Sequence, residues 1–279
     1  MKKYGTLLRE RVQSKKILPL IGVYDAFSAS IAASHYEALF LSGYGFAASK
    51  YGLPDEGYIA WPDIVVYTEQ IRAILPDTHL IVDIDEGYGD PNIAASVVKR
   101  LERVGASAVI LEDQRRPKRC GHLPGKEILP TDEYLDRLNQ VLKSRSDLFV
   151  IARTDATNIE EGIQRAKLYR DAGADAIMIE GLASLDDINL IREEVGDSFN
   201  HVVNLIAGGK TPPVTLTKLS ELRVNLVIYS TPCLYAAQKA VQNAMIDLKR
   251  NDGCLELKDG DVNLNENLLL MKKNAKNAI

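Results

Sequence analysis

Cysteine is scarce: Cys120, Cys233 and Cys254 are the only three in 279 residues. They are too few and too scattered for a disulfide framework. No apolar run approaches the roughly 20 residues that span a bilayer. No hydrophobic signal core follows Met1-Lys2-Lys3-Tyr4-Gly5. Basic charge is not in excess, since the formal net charge is −4 with acids and bases mixed along the chain. The basic stripe that nucleic-acid binding wants is therefore missing. There is no internal repeat beyond an alternation of strand-like and helix-like segments, and no low-complexity linker. These absences predict a soluble, cytoplasmic protein with reduced thiols and with neither membrane nor nucleic acid as partner.

What is present is a chain 46% hydrophobic and 26% charged, long enough for one large core. Short runs rich in Val, Ile and Leu recur at Pro19–Val23, Ala38–Leu41, Leu80–Ile84, Ala108–Leu111, Phe149–Ala152, Ala176–Ile179, Val202–Ile206 and Leu226–Tyr229. They are continuous rather than alternating, as buried parallel strands are. Helical spacing lies between them, for example over Ile93–Val104, Tyr134–Leu142, Ile159–Ala172 and Ser184–Val195. Helix starts are expected at Pro91-Asn92, Thr131-Asp132 and Ser184, and Gly105 and Gly173 fall where αβ loops need them. Eight strands alternating with helices predict an α/β fold, a closed (β/α)₈ TIM-type barrel, as one domain over residues 1–279. An open doubly wound sheet is the rival, but no GxGxxG follows the first strand. Residues 232–279 read as a C-terminal extension with helices at Pro232–Lys249 and Leu264–Lys276, which pack under the barrel or onto a neighbouring subunit.

Parallel barrels carry their active sites at the carboxyl ends of the strands. Those ends hold Tyr24-Asp25, Ser42-Gly43-Tyr44-Gly45, Asp83-Ile84-Asp85-Glu86-Gly87, Glu112-Asp113-Gln114, Arg153-Thr154-Asp155, Glu180, Asn204 and Tyr229-Ser230. Asp83 and Asp85, two apart, are expected to point the same way along a strand and to converge with Glu112. Such a cluster suits Mg²⁺ or Mn²⁺, or it forms salt bridges with Lys118, Arg119 or Arg153. The connection Gln114–Pro130 is too polar and glycine-rich for a barrel helix, and loops of that length are often lids. Within it Cys120 has Lys118, Arg119 and His122 beside it. Cationic neighbours favour a reactive thiolate; the alternative is an ordinary surface cysteine on a basic loop. His35, His79 and His201 stand at the beginnings of strands, the stability end, and are given no catalytic role.

At Glu112-Asp113-Gln114, followed by Pro117-Lys118-Arg119-Cys120-Gly121-His122, the chain resembles the isocitrate lyase / phosphoenolpyruvate mutase superfamily. Ser42-Gly43, Gly52-Leu53-Pro54-Asp55, Asp83-x-Asp85-x-Gly87-Tyr88-Gly89, Ala152-Arg153-Thr154-Asp155 and Gly208-Gly209-Lys210-Thr211-Pro212 fall in family order, so the likeness covers nearly the whole chain. The resemblance implies a barrel whose last helix is exchanged between subunits, in a homotetramer built as a dimer of dimers. It implies Mg²⁺ (or Mn²⁺) at Asp83, Asp85 and Glu112, with Cys120, His122 and Arg153 catalytic. Ser42, Gly43, Tyr44, Asp55, Lys118, Arg119, Gly121, Glu180 and Asn204 would bind a small carboxylate substrate. The Lys-Arg-Cys-Gly-His lid resembles that of the carbon–carbon lyases acting on methylisocitrate and dialkylmalates. Within the superfamily, carboxyphosphonoenolpyruvate phosphonomutase shares the Cys-Gly-His lid.

Three departures stand out. Ala207 replaces a glutamate usual in Asn-Met-Val-Glu-Gly-Gly-Lys, Lys50 stands where small residues are usual, and Glu86 replaces a small or hydroxyl residue. Lys50 is either buried with Glu86 as partner, or faces the pocket and binds an extra anionic group, or is a surface exchange on a loop. The leading expectation is a Mg²⁺-dependent lyase cleaving a methylisocitrate-like or substituted malate 2-hydroxy acid to a 2-oxo acid and a carboxylate. Its rivals are phosphorus–carbon bond formation, hydrolysis or decarboxylation of oxaloacetate, and a barrel kept for binding alone, against which the intact carboxylates, Cys120 and Arg153 argue.

Overall fold

A computed structural model describes residues 2–14 and 16–278. Eight strands run β1 Leu18–Val23, β2 Ala38–Leu41, β3 His79–Asp83, β4 Ala108–Glu112, β5 Phe149–Thr154, β6 Ala176–Ile179, β7 Asn200–Leu205 and β8 Leu226–Tyr229. All pair in parallel and close in sequence order, β8 against β1 in register Leu20↔Ile228. The expected TIM-type barrel is the fold, and the open sheet is excluded.

Alternation along each strand divides the core in two. Leu18 and Leu20 of β1, Phe149 and Ile151 of β5, and Leu226 and Ile228 of β8 fill the barrel interior. Their neighbours Ile21 and Val23, Val150 and Ala152, and Val227 face the surrounding helices. Burying each such side chain contributes about 1.5–3 kcal/mol. Helix α1 (Tyr4–Gln13), which the periodicity reading passed over, closes the floor by inserting Leu8 and Val12 into the interior cluster. Its start is held by Asp147, which accepts from the amides of Gly5 at 2.7 Å and Thr6 at 3.0 Å.

The helices on the barrel wall begin where their caps dictate. They are α2 Ala26–Ala32, α4 Trp61–Ile74, α5 Pro91–Arg103, α6 Thr131–Ser144, α7 Ile159–Asp171, α8 Leu185–Val195 and α9 Leu216–Glu221, with the short α3 Gly43–Phe46 running into a π-helical turn at Ala47–Tyr51. Ser184 caps α8 with a reciprocal Asp187 contact, and Asp90 precedes Pro91 as the cap of α5. The extension forms α10 (Pro232–Arg250), which packs Cys233 against the core beside β1, and α11 (Leu264–Ala278), which touches α4, and no residue of either is fully buried. Among the described residues no helix is long and apolar enough to cross a membrane.

Candidate active site

The mouth of the barrel gathers the strand-end residues. Asp83 is the last residue of β3, Glu112 the last of β4, and Glu112 pairs in register with Arg153 on β5. Asn204 lies on β7, while Glu180 and Ser230 follow β6 and β8 directly. A small cavity of about 30 Å³ lies among Ser42, Tyr44, Asp83, Cys120, Arg153 and Asn204, with Asp55, Gly121, His122, Glu180 and Ser230 completing its polar wall. Ser42 caps α3, its Oγ accepting from Gly45 N at 3.0 Å. Gly43 brings backbone against the carboxylates: a Cβ there would sit 3.0 Å from Asp83 Oδ2.

Lys118 is buried within the charge cluster. Its side chain is 2% exposed, with Nζ against Asp85 Oδ1, 3.0 Å from Asp55 Oδ1 and 3.9 Å from Glu112 Oε1. Burial favours the neutral amine, but Asp55, Asp85 and Glu112 outweigh it and hold the ammonium well above its ordinary pKa. Burial drives Asp83 up to about 6 despite Lys118, and pushes Glu112 well above the carboxylate range. Arg153 directs the fork formed by Nε and Nη2 at Asp155, at 2.8 and 3.0 Å, with Nη1 3.1 Å from Glu112 Oε2. Burial raises Asp155, and Arg153 with Lys126 reverse that and hold it at about 2.

The connection Gln114–Pro130 closes over this cavity. Its stem is a short antiparallel pairing, Gln114 with Ile128, and Gln114 and Arg119 exchange hydrogen bonds of 2.9 Å in each direction. Lys126 Nζ donates to Gly121 O at 2.6 Å and to Asp155 Oδ1 at 3.0 Å. His122 Nδ1 accepts from Lys210 N at 3.0 Å, and its Nε2 lies 2.6 Å from Glu180 Oε1. Glycine is required at 121, because a Cβ would fall 2.3 Å from Glu180 Cγ and 2.5 Å from Arg153 Nη2.

Several sequence expectations change here. β3 ends at Asp83 and Asp85 has φ +48°, so the two aspartates meet through a left-handed turn and not through strand alternation. Cys120 does not gain the cationic surroundings expected of it: Lys118 points into the acidic cluster, and burial, with Asp55 and Glu180, pushes the thiol pKa up against the His122 backbone amide and Arg153. Arg119 is exposed and packs over Gly125 outside the cavity, lining a wider outer cleft with Ala207 and Lys210. Lys118 does not line the cavity but sits among the carboxylates. Lys50 does not pair with Glu86: it is half-exposed, 3.7 Å from Asp63 and over the Phe46 ring, while Glu86 pairs with Arg116. That is the surface-exchange alternative. Residues the sequence reading left out are Asp155, Lys126, Gln114 and Ser230. Ser230 Oγ donates to Asn204 Oδ1 at 2.6 Å, and Asn204 Nδ2 donates to Glu180 at 3.1 Å. Asp155, Gln114 and Ser230 stand near strand ends in the sequence, whereas Lys126 lies in the connection and nothing in its sequence position points to Asp155.

Asp83 and Asp85 both approach Gly43, and Lys118 lies between Asp85 and Glu112, but among the described residues no three His, Cys, Asp or Glu close into a preformed metal cage. The donor set nevertheless fits a hard divalent cation. It is all oxygen, and both Glu112 carboxylate oxygens are buried without a hydrogen-bond partner.

Residues 8–249 match the phosphoenolpyruvate phosphomutase family. The chain is 32% identical to 2,3-dimethylmalate lyase of Eubacterium barkeri, covering 93% of this chain and 91% of that one. It is 35% identical to 2-methylisocitrate lyase of Shewanella oneidensis, covering 89% and 86%. The crystal structure of 2,3-dimethylmalate lyase superposes with TM-score 0.93 over 99% of this chain and 94% of that chain at 32% identity. Oxaloacetate acetylhydrolase bound to 3,3-difluorooxalacetate superposes with TM-score 0.92 over 98% and 95% at 30% identity. With the family match over most of its length, and the barrel and strand-end residues in family order, the chain belongs to the phosphoenolpyruvate phosphomutase family and is an enzyme of the isocitrate lyase / phosphoenolpyruvate mutase superfamily.

Proposed function

We propose that this enzyme is a Mg²⁺-dependent (or Mn²⁺-dependent) carbon–carbon lyase that cleaves a methylisocitrate-like or substituted malate 2-hydroxy acid. The observation that carries the reading is Cys120, seated by the lid in one cavity with Asp83, Arg153 and Asn204. Burial keeps its thiol protonated, as a general acid must be before it acts. Asp83, Asp85 and Glu112 would hold the cation, which when bound stabilises negative charge on the substrate's 2-oxygen. Arg153 and Asn204 orient the substrate carboxylate together with Ser42, Gly43 and Tyr44. The C2 hydroxyl gives its proton to a carboxylate of the cavity wall, Asp55 or Glu180, the freed oxygen pair forms the C2=O bond, the C2–C3 bond breaks with its electron pair left on C3 of the departing carboxylate fragment, and the Cys120 S–H delivers a proton there. His122 and Glu180 keep Gly121 and Cys120 down during the step and exclude water. Release of a 2-oxo acid from a panel of 2-methylisocitrate and 2,3-dialkylmalates, followed with Mg²⁺ and with excess chelator, tests this. Turnover unaffected by chelator, or no turnover of any panel member, refutes it.

One observation favours a second reading, hydrolysis of oxaloacetate to oxalate and acetate. Hydrated oxaloacetate carries an extra hydroxyl at C2, and the Ser230 hydroxyl on the cavity wall can partner it. Ser230→Ala would then suppress oxalate formation while sparing cleavage of a 2-hydroxy acid.

The assembly we infer is a homotetramer with α10 exchanged between subunits. No residue of helix α10 is fully buried, and it exposes Val241 and Met245. An apolar groove of about 610 Å³ opens between its root and α2, lined by Phe27, Ile31, Tyr36, Tyr229 and Cys233. A second copy's helix suits that groove, and a monomer by light scattering at micromolar concentration would contradict the inference. Three free thiols fit a reducing compartment such as the cytoplasm.

A further inference from the structure

Glu86 is an unusual group to find where it is. It follows Asp85 directly and is buried, yet it takes no part in the carboxylate cluster. Its Oε1 accepts from Nε of Arg116, at the entry to the lid, and its Oε2 has no hydrogen-bond partner. Arg116 reaches a second loop as well, donating from Nη1 to Gly57 O at 2.9 Å. Lys118, two residues on, spans the same two loops through Asp85 and Asp55. The loop that carries Glu86 is itself fixed from α6, where Arg137 donates to Glu86 O and, at 3.1 Å, to Gly89 O.

The lid is thus clasped twice. The Lys118 clasp lies within the carboxylates that would hold the cation, so its strength depends on what else occupies them. The Arg116 clasp lies outside them, because among the described residues Arg116 is the one cation ion-paired with the Glu86 carboxylate, Arg137 meeting only its backbone carbonyl. A buried carboxylate with a single charged partner depends heavily on that partner. We propose that Arg116 and Glu86 are a positioning pair, a metal-independent latch that holds the lid, and with it Cys120, closed over the cavity in the free enzyme. The latch acts on the site described above and rests on the reading of Gln114–Pro130 as a lid, but not on the identity of the substrate. Neither residue touches the reacting atoms. Their effect is on the balance between closed and open lid, which sets how much substrate binding must contribute to closure.

Alkylation of Cys120 by iodoacetamide, read peptide by peptide in the metal-free enzyme, measures lid opening without turnover. The exposed Cys254 serves as an internal control. Glu86→Gln and Arg116→Gln should each raise the Cys120 rate about tenfold or more, the shift expected from losing one charge-assisted hydrogen bond. The Cys254 rate should not move. The double variant should be no faster than the singles, because both remove one contact. In turnover the variants should show raised KM with kcat retained, since saturating substrate closes the lid. If Glu86→Gln fails to fold, Arg116→Gln stands in, its side chain being 37% exposed, with tryptic cleavage after Arg119 as the second measure of opening. Native circular dichroism with Cys120 rates within twofold of the parent, or additive single effects, overturns the latch. Either result leaves the lyase reading standing.

Discussion

Replacing Lys118 with methionine separates the cluster's need for positive charge from its need for bulk. Methionine keeps the unbranched apolar stem and deletes the ammonium. In the parent that ammonium is fully buried against Asp55 and Asp85, with Glu112 at 3.9 Å. Removing one partner of a buried ion pair costs about 3–5 kcal/mol, because the carboxylates left behind are neither solvated nor paired. For a chain of this size each kcal/mol moves Tm by about 2 °C, so the metal-free variant should melt roughly 6–10 °C below the parent. A divalent cation should restore much of the loss. Bound at a hundredfold over its Kd it adds about 2.7 kcal/mol, and in the variant it meets no competing ammonium. Differential scanning calorimetry of both proteins, chelated and with Mg²⁺, reads all four states. The Mg²⁺-induced rise should be larger in Lys118→Met than in the parent. A chelated variant melting within about 2 °C of the parent, or equal Mg²⁺ shifts in both, would refute the view that Lys118 balances the cluster's charge.

Cys120→Ser should leave the fold and substrate binding intact and lower kcat by about 10²–10⁴-fold, since serine is a far weaker acid; Cys233→Ser should do little, and near-normal turnover of the Cys120 variant would move weight to oxaloacetate decarboxylation, which can take its proton from solvent. Gly121→Ala should leave Tm nearly unchanged but reduce kcat/KM by about tenfold or more, because a Cβ 2.3 Å from Glu180 Cγ keeps the lid from seating; unchanged kcat/KM would show that the lid has slack. His201 is buried at the foot of β7 with its pKa lowered to about 4, chiefly by burial. Its neutral form is favoured in the fold, so its contribution is complete above the unfolded value near 6.5 and is lost as pH falls towards 4, by about 3 kcal/mol. His201→Gln, whose amide can still donate to Gly196 O, should flatten the fall of Tm over that window, and a slope identical to the parent's would refute the assignment.

The strands were legible because burial on both faces leaves continuous aliphatic runs, and Ala38–Leu41, Ala176–Ile179 and Leu226–Tyr229 match the observed bounds residue for residue. Helix α1 was not legible for a related reason. Its ten residues hold only three aliphatics, Leu7, Leu8 and Val12, and of these Leu8 and Val12 alone are buried, too few for periodicity to register. The turn after β3 was misread because alternation holds only while the chain stays extended. At Asp85 the backbone turns left-handed, and proximity to Asp83 comes from that turn.

The site shows the same limit in chemical form. Residue type and strand-end position sufficed to bring Asp83, Arg153, Glu180 and Asn204 to one cavity. They did not say how the charges would pair. Lys118 and Arg119 are adjacent, yet one is buried among carboxylates and the other lies in solvent. Both were read as substrate-facing because sequence carries charge but not direction. For the same reason neighbouring cations were expected to activate Cys120, whereas Lys118 and Lys126 point to Asp85 and Asp155 and the thiol is left to burial. Metal ligation and ion pairing, the two readings of the acidic mouth, turn out not to be rivals. A hard, all-oxygen, poorly solvated cluster demands positive charge, and an ammonium and a divalent cation both answer that demand. Lys118 supplies that charge to Asp55 and Asp85, and the Glu112 carboxylate, buried without a hydrogen-bond partner, is where a divalent cation would add what the ammonium does not reach.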